Sequence, residues 1–369
     1  MLSHRLSRPA FAAAALLVVT GHAFAADGWK LRFPLAGTLG GEIVVNKLTP
    51  GLFGNVVVTQ VEVDKVSGND GDSLRLTQAG SFSTPTPVFG AVRTASFSGS
   101  AAVAVKQSQT NSNLLLGYLT EEEYYGGRLS FSVNIPHASL SRTFTLTGTT
   151  PTLSTLSPAV PPAAAAQAQA AVQQGFGTNY QAALASNSAK GTGSASAMGD
   201  IEVTGAWVQV KDDMKVVLGT TLAMPTGQYD KDSALNVGFG NYYTLRSGGA
   251  VSFKTNQNLT LGARASLGFN SPNTDNGVRT GNFWGLDLAA AYLTPIGVFG
   301  PHLLQVTQYE DDQGGTFGGN RFSATGAGVF YTTLIRPINA GMNLTYMKMV
   351  DSRNALNGSF VQIRITKRF

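Results

Sequence analysis

Residues 359–369 read S-F-V-Q-I-R-I-T-K-R-F, and this stretch decides the fold. Successive side chains of a β-strand point to opposite faces, so the stretch as a strand carries one apolar face and one polar face. The apolar face has Val361, Ile363, Ile365 and Phe369, and the polar face has Gln362, Arg364, Thr366 and Arg368. A strand of a soluble sandwich alternates in the same way. The length nevertheless suits a tilted membrane strand of about 9–11 residues.

The aromatic end of this strand favours the membrane interpretation. Phe369 ends the sequence without a polar tail. This ending is similar to the signal by which outer-membrane barrels reach their insertion machinery, although Lys367 stands where an apolar residue is more usual. Phe369 is therefore predicted to be an assembly signal, and the expected partners are the barrel assembly machinery, periplasmic chaperones and the lipid bilayer.

Residues 1–25 are predicted to form a secretory signal peptide. Arg5 and Arg8 precede an uncharged apolar run over 10–19, and Ala23-Phe24-Ala25 is a small-x-small cleavage site. A membrane anchor is the alternative, but the apolar run is shorter than the ~20 residues that a spanning helix needs.

The composition fits one large barrel. The 369 residues include 43 Gly and no Cys, only 13% are charged, and the mean hydropathy is +0.03. A small secreted domain would need disulfides, whereas a barrel closes through its own hydrogen bonds. The formal net charge is +5, but the basic residues do not form a run in the sequence. Nucleic-acid binding is therefore not expected.

Alternation predicts an all-β, transmembrane antiparallel barrel of about twelve strands over residues 51–369, after an irregular lead-in over 26–50. The clearest strand spans 258–270, where Leu261 and Leu267 share a face opposite Thr260 and Arg264. The predicted strands are 54–64, 89–105, 127–146, 199–210, 214–224, 240–253, 258–270, 281–293, 298–309, 321–335, 341–350 and 359–369.

Connections between these strands alternate in length. Short ones are predicted at 211–213, 254–257, 294–297 and 336–339, and long ones at 225–239, 271–280, 310–320 and 351–358. Outer-membrane barrels have short periplasmic turns and longer extracellular loops. On this pattern the Ala/Pro-rich insert at 149–198 is extracellular. It is predicted to carry a short helix over the mouth or in the lumen, or else to be a disordered linker.

Charged residues on the polar faces are candidates for lining the lumen. They either line an open path and tune selectivity, or pair with each other and stiffen a narrow barrel; the pairing interpretation is favoured. These candidates are Arg246, Arg264, Arg364, Arg368, Glu62, Asp64 and Asp287.

Catalytic and cofactor chemistry is sparse. His137 with Ser139 or Ser141 would suit a lipid hydrolase, but no nucleophile motif surrounds them, so no catalytic residue is assigned. Grouped loop acids lack the spacing of a calcium loop. They are interpreted as solvated charge that divalent ions bridge to lipopolysaccharide. No metal or cofactor is expected.

A family resemblance rests on the motif residues Gly199, Asp200, Pro225, Thr226, Gly227, Tyr229 and Asp230, followed by Asn236-Val237-Gly238, Asn241, and 309–315. The chain resembles the outer-membrane family labelled as phenol meta-pathway degradation proteins, which is similar to barrel transporters encoded beside pathways for aromatic compounds. The resemblance implies location in the bacterial outer membrane and uptake of small, sparingly soluble molecules.

A passive channel for small hydrophobic or aromatic compounds is therefore the expected function. An outer-membrane hydrolase acting on lipid and a structural or adhesion barrel are the alternatives. A hydrolase needs a convergent Ser/His or Asp/His site, and adhesion favours aromatic loops, whereas these loops are polar and Gly-rich.

Overall fold

The computed structural model describes residues 30–34, 36–84, 87–88, 90–314 and 321–369. The predicted signal peptide and its cleavage site at Ala23-Phe24-Ala25 lie outside the described residues. The chain forms two compact units. Of the described residues, the larger unit contains those within 30–74, 104–143 and 191–369, and the smaller contains those within 75–103 and 144–190.

The larger unit is a closed antiparallel barrel of twelve strands, as the alternation predicted. The barrel strands are β1 (Gly51–Val66), β3 (Thr94–Tyr124), β4 (Gly127–Thr147), β6 (Glu202–Lys211), β7 (Met214–Ala223), β8 (Thr244–Lys254), β9 (Leu259–Asn270), β10 (Phe283–Thr294), β11 (Gly297–Gln308), β12 (Ser323–Ile335), β13 (Ala340–Arg353) and β14 (Leu356–Arg368). Around the barrel the order is β1, β14 and then each preceding strand down to β6, followed by β4 and β3, which pairs again with β1. Two short strands, β2 (Arg75–Ser83) and β5 (Gly193–Met198), pair with β3 and β4 respectively.

The decisive stretch forms β14 with its apolar face outward. Val361 and Ile363 are 50% and 44% exposed, whereas Gln362 and Arg364, which alternate with them, are 0% and 5% exposed. In β9, Leu261 and Leu267 are likewise exposed. Apolar side chains outside and polar ones inside reverse the distribution of a soluble protein and match a barrel in lipid. The predicted alternation of these two strands is confirmed.

The predicted alternation of short and long connections holds for most of the barrel. We call the end with connections 212–213, 255–258, 295–296 and 336–339 the short-turn end, and the opposite end the long-loop end. At the long-loop end the connections span 224–243, 271–282 and 309–322. The predicted long loop at 351–358 is wrong, because β13 and β14 extend until only Asn354 and Ala355 separate them. Asn354 adopts φ 47, a left-handed conformation that Asn tolerates better than most residues.

β3 is the largest error in strand position. It was predicted over 89–105 but continues to Tyr124, and its residues 107–119 pair with β1. Inward amides link along the strand, with Gln107 donating to Gln109 at 2.9 Å and Gln109 donating to Asn111 at 2.6 Å. A polar run of this kind is typical of a loop by composition. Inside a barrel, its side chains bond to one another instead of to water.

The smaller unit contains one long helix, α2 (Pro162–Gly191), where a short helix was predicted. Its buried residues Val172, Phe176, Tyr180 and Leu184 recur every fourth position. Residues at that spacing share one helix face, which extends the helix beyond its alanine-rich start. Phe176 stacks on Phe82 of β2 with ring centroids 5.4 Å apart. Among the described residues, no helix is both long enough and apolar enough to cross a membrane.

Candidate functional site

An N-terminal segment fills the lumen of the barrel. Residues 30–34 and 36–50, which we call the plug, include the one-turn helix α1 (Leu39–Glu42). Leu39 and Ile43 are 1% and 0% exposed and pack against Ala289, Ala291 and Phe330 of the wall. Burial of an aliphatic side chain of this size contributes about 1.5–3 kcal/mol. The lead-in that looked irregular in sequence is thus an internal element of the barrel.

Two wall glycines receive apolar side chains of the plug. A Cβ atom on Gly262 would lie 2.7 Å from Cγ1 of Ile43, and one on Gly285 would lie 2.3 Å from Cε2 of Phe33. Real Cβ atoms do not approach carbon so closely, so any larger residue here would displace the plug. Close approach of this kind is a use for which glycine is suited.

At the long-loop end, Arg32 holds the plug to the wall. Its guanidinium donates to Oδ2 of Asp200 at 2.7 and 3.1 Å, and the two side chains are 2% and 6% exposed. It also donates to the carbonyl oxygen of Gly240 at 2.9 Å and lies 4.0 Å from the ring centroid of Tyr242. A buried, multiply bonded charge pair of this kind is costly to break from one side.

Several family motif residues shape the acceptor for Arg32. Asp200 accepts hydrogen bonds from the backbone N–H of Gly227 at 2.9 Å and of Phe239 at 3.0 Å. Thr226 accepts one from the N–H of Ile201 at 2.8 Å. The motif therefore brings the connections after β5 and β7 together around one carboxylate. The remaining members follow: Gly199 precedes Asp200, Pro225 precedes Thr226, the Tyr229 hydroxyl lies 3.5 Å from Asn273, and the N–H of Asp230 donates to Asn236 at 2.8 Å.

Towards the short-turn end, Glu42 joins the plug to two predicted lumen residues. Its carboxylate lies 2.6 Å from Nη1 of Arg364 and 3.7 Å from Nη1 of Arg264. Arg264 also bonds Asp287 at 2.5 Å and donates to the Thr38 hydroxyl at 2.9 Å. Arg264 and Arg364 thus brace the plug against β9, β10 and β14.

The other two arginine candidates also have partners. Arg246 lies 2.7 Å from Oε1 of Glu202 and donates to the carbonyl oxygen of Arg32 at 3.2 Å. Arg368, exposed at the short-turn end, donates to the carbonyl oxygen of Thr49 at 2.5 Å. All four arginines therefore contact the plug, three of them with carboxylate partners. This arrangement matches the pairing interpretation more closely than an open charged path.

Glu62 and Asp64 do not face the lumen, and their prediction as lumen residues is wrong. The buried residues of β1 include Val57, Thr59 and Val63, which leaves the opposite parity outside. Glu62 accepts a hydrogen bond from Ser108 at 2.8 Å in an exposed position, and Asp64 is exposed at a bulge. Residues 56–58 are all valine, so both faces of β1 are apolar there. Hydrophobicity alone therefore could not show which face points into the lumen.

A cavity of about 230 Å³ lies between the plug and strands β6–β9. Pro34, Leu39 and Glu42 form its plug side, and small side chains dominate its wall side. Lys215, which sequence reasoning missed, also lines it. Lys215 points inward from β7, between the outward side chains of Met214 and Val216. The alternation along this strand could therefore have predicted Lys215 as a lumen residue.

Both histidines of the described residues contact another polar side chain. His302 is fully buried with Nε2 3.3 Å from Oδ1 of Asp287. His137 lies 3.5 Å from the hydroxyl of Ser196, not of the predicted Ser139 or Ser141. Within the part of the chain that the structure describes, no three or more His, Cys, Asp or Glu residues are grouped to hold a metal ion.

Loop acids at the long-loop end have local partners. Arg279 bonds Glu310 at 2.9 Å, and Arg321 bonds Asp311 at 2.6 Å. Burial raises the pKa of Asp312, although hydrogen bonds from the N–H of Gly281 and the Gln308 amide oppose that rise. Glu310 and Asp312 thus bond to the neighbouring connection 271–282, and Asp311 bonds within its own connection.

A closed barrel with an apolar outer face, a polar inner face and a bonded internal segment defines a plugged transmembrane β-barrel protein. Residues 93–365 match the model of the family described as "Putative MetA-pathway of phenol degradation". The chain belongs to this family, as its motifs indicated.

The chain aligns with solved structures, and the first of the two alignments below shows a shared fold. An outer membrane channel from Pseudomonas putida F1 aligns with a TM-score of 0.60 at 15% identity, covering 88% of this chain and 98% of that one. A Pseudomonas aeruginosa FadL homologue aligns with a TM-score of 0.40 at 10% identity, covering 93% and 100%. No curated protein sequence matches the chain.

Proposed function

We propose that this protein is a bacterial outer-membrane channel for the passive uptake of small hydrophobic or aromatic compounds. The observation that carries the proposal is the cavity of about 230 Å³ beside a plug that otherwise fills the lumen. For comparison, an apolar cavity of about 150 Å³ holds one benzene molecule. The space therefore suits a single aromatic ring with a substituent and excludes large solutes.

Family and fold support this proposal. The family description names phenol degradation, and the solved structure from Pseudomonas putida F1 is an outer membrane channel. A channel needs no cofactor and no catalytic residue, only a gradient and a path past the inward side chains. A hydrolase acting on lipid has weaker support, because His137 and Ser196 are exposed on the barrel without an evident acid partner.

The membrane orientation belongs to the same proposal. The short-turn end would face the periplasm and the long-loop end the outside, which keeps residues 149–198 extracellular. We further propose that the barrel assembly machinery inserts the chain with Phe369 as part of the signal. Phe369 is 76% exposed, which leaves its ring available to a partner.

Uptake into vesicles tests the channel. Purified protein is reconstituted into vesicles with lipopolysaccharide in the outer leaflet, and entry of labelled phenol, benzoate and a disaccharide is followed. We expect the protein to speed entry of the aromatic compounds and not of the disaccharide, because only the former match the cavity. Equal entry with and without protein would refute a channel, and rapid disaccharide entry would refute the size limit. Heat-unfolded protein in matched vesicles is the control.

A further inference from the structure

Charges around the cavity do not balance. Four cations, Lys215, Arg246, Arg264 and Arg364, stand against three carboxylates, Glu42, Glu202 and Asp287, which leaves one positive charge in excess. Each arginine has a carboxylate within 2.7 Å. Among the described residues, Lys215 is the cation of this group that forms no ion pair of its own, because the nearby Glu42 carboxylate, which also acts on it electrostatically, is already paired with Arg364 and Arg264.

Lys215 instead contacts a neutral group. Its ammonium donates to the backbone carbonyl oxygen of Glu42 at 2.7 Å. An ammonium carries three N–H donors, so this bond leaves two others for a further acceptor. The carbonyl orients the lysine but does not neutralise it.

The space beside Lys215 is mostly apolar. Leu39 and Pro34 of the plug and Ala206, Val217 and Ala250 of the wall all line the cavity. A ring in this space would replace water against carbon surfaces, and an anionic substituent would reach the lysine. Carboxylates bind ammonium groups through charge-assisted hydrogen bonds, which are stronger than neutral ones.

We propose that this cavity is a binding site for a small aromatic carboxylate, with the ring against the plug and the carboxylate on Lys215. The proposal rests on the proposed function and deepens it, because it names the substrate class. Lys215 would be a binding residue that favours anionic over neutral aromatic compounds during passage.

Calorimetry on the detergent-solubilised protein tests the site with benzoate, benzyl alcohol and acetate. We expect benzoate to bind at least tenfold more tightly than benzyl alcohol or acetate, because only benzoate has both ring and charge. Lys215→Met should weaken benzoate binding at least tenfold, whereas Lys215→Arg should retain most of the affinity. Lys348→Met, at an exposed lysine on β13, is the matched control and should bind benzoate like the unmodified protein. A heat-modifiability gel shows that each variant is a folded barrel.

The outcomes separate this site from the channel itself. Equal binding of benzoate and benzyl alcohol, or a benzoate preference that survives Lys215→Met, would overturn the site while leaving vesicle uptake intact. If acetate bound as tightly as benzoate, the cavity would not be a site for the aromatic ring. If none of the three compounds bound, the proposed site would be refuted altogether. Benzoate binding that needs Lys215, without protein-dependent uptake, would instead overturn the channel.

Discussion

Replacement of Arg32 by Met should loosen the plug at the long-loop end. The methionine keeps much of the side-chain length but removes both hydrogen bonds to Asp200, at 2.7 and 3.1 Å. Breaking a buried ion pair from one side costs about 3–5 kcal/mol. Asp200 keeps two backbone N–H donors, from Gly227 and Phe239, so the low end of that range applies.

A cost of about 3 kcal/mol corresponds to roughly a hundredfold change in an equilibrium constant, since ~1.4 kcal/mol is tenfold. We therefore expect the fraction of time that the plug is displaced to rise by about two orders of magnitude. Single-channel recording in planar bilayers would register this as more frequent large-conductance openings. Arg336→Met, at an exposed arginine of the short-turn end, is the control and should not change the openings.

A disulfide shows whether such openings come from the plug. A Cβ atom on Gly262 lies 3.6 Å from Cβ of Ile43, inside the ~3.5–4.5 Å range of disulfides, and the chain has no other cysteine. In the Arg32→Met background, oxidised Ile43→Cys/Gly262→Cys should suppress the openings, and a reductant should restore them. The role of Arg32 would be refuted if Arg32→Met did not change the frequency of openings, or if the openings persisted in the oxidised protein. Either result would show that Arg32 does not hold a movable plug in place.

Three further changes test the plug contact, the outer face and assembly. Gly262→Val should raise conductance by forcing Ile43 away from the wall, and a conductance equal to that of the unmodified protein would show that the wall yields instead. Leu261→Arg should cost about 2–4 kcal/mol in refolding titrations at mid-bilayer depth, and Thr260→Arg much less; equal costs would contradict the assignment of faces. Deletion of Phe369 should leave protein in the periplasm, and a normal outer-membrane yield on fractionation would exclude it as an assembly signal.

The barrel wall was predictable because alternation is a local property. In a clear strand, the apolar residues at every second position mark one face. Leu261 and Leu267 lie on the same face of β9, and Val361 and Ile363 lie on the same face of β14. No distant residue is needed to read a period of two. β1 failed this test because valines occupy both of its faces at 56–58, and Glu62 was placed inside as a result.

The plug and its bonds were decided by tertiary structure alone. Arg32 and Asp200 are 168 positions apart, and Glu42 and Arg364 are 322 apart. Such pairs leave no local period in the sequence, and residues 26–50 were predicted to be an irregular lead-in. Closing the barrel brings the inward charges of separate strands into one narrow, partly dry space, where each guanidinium needs a carboxylate. Only that closure shows which charges are paired and that Lys215 is left facing the cavity.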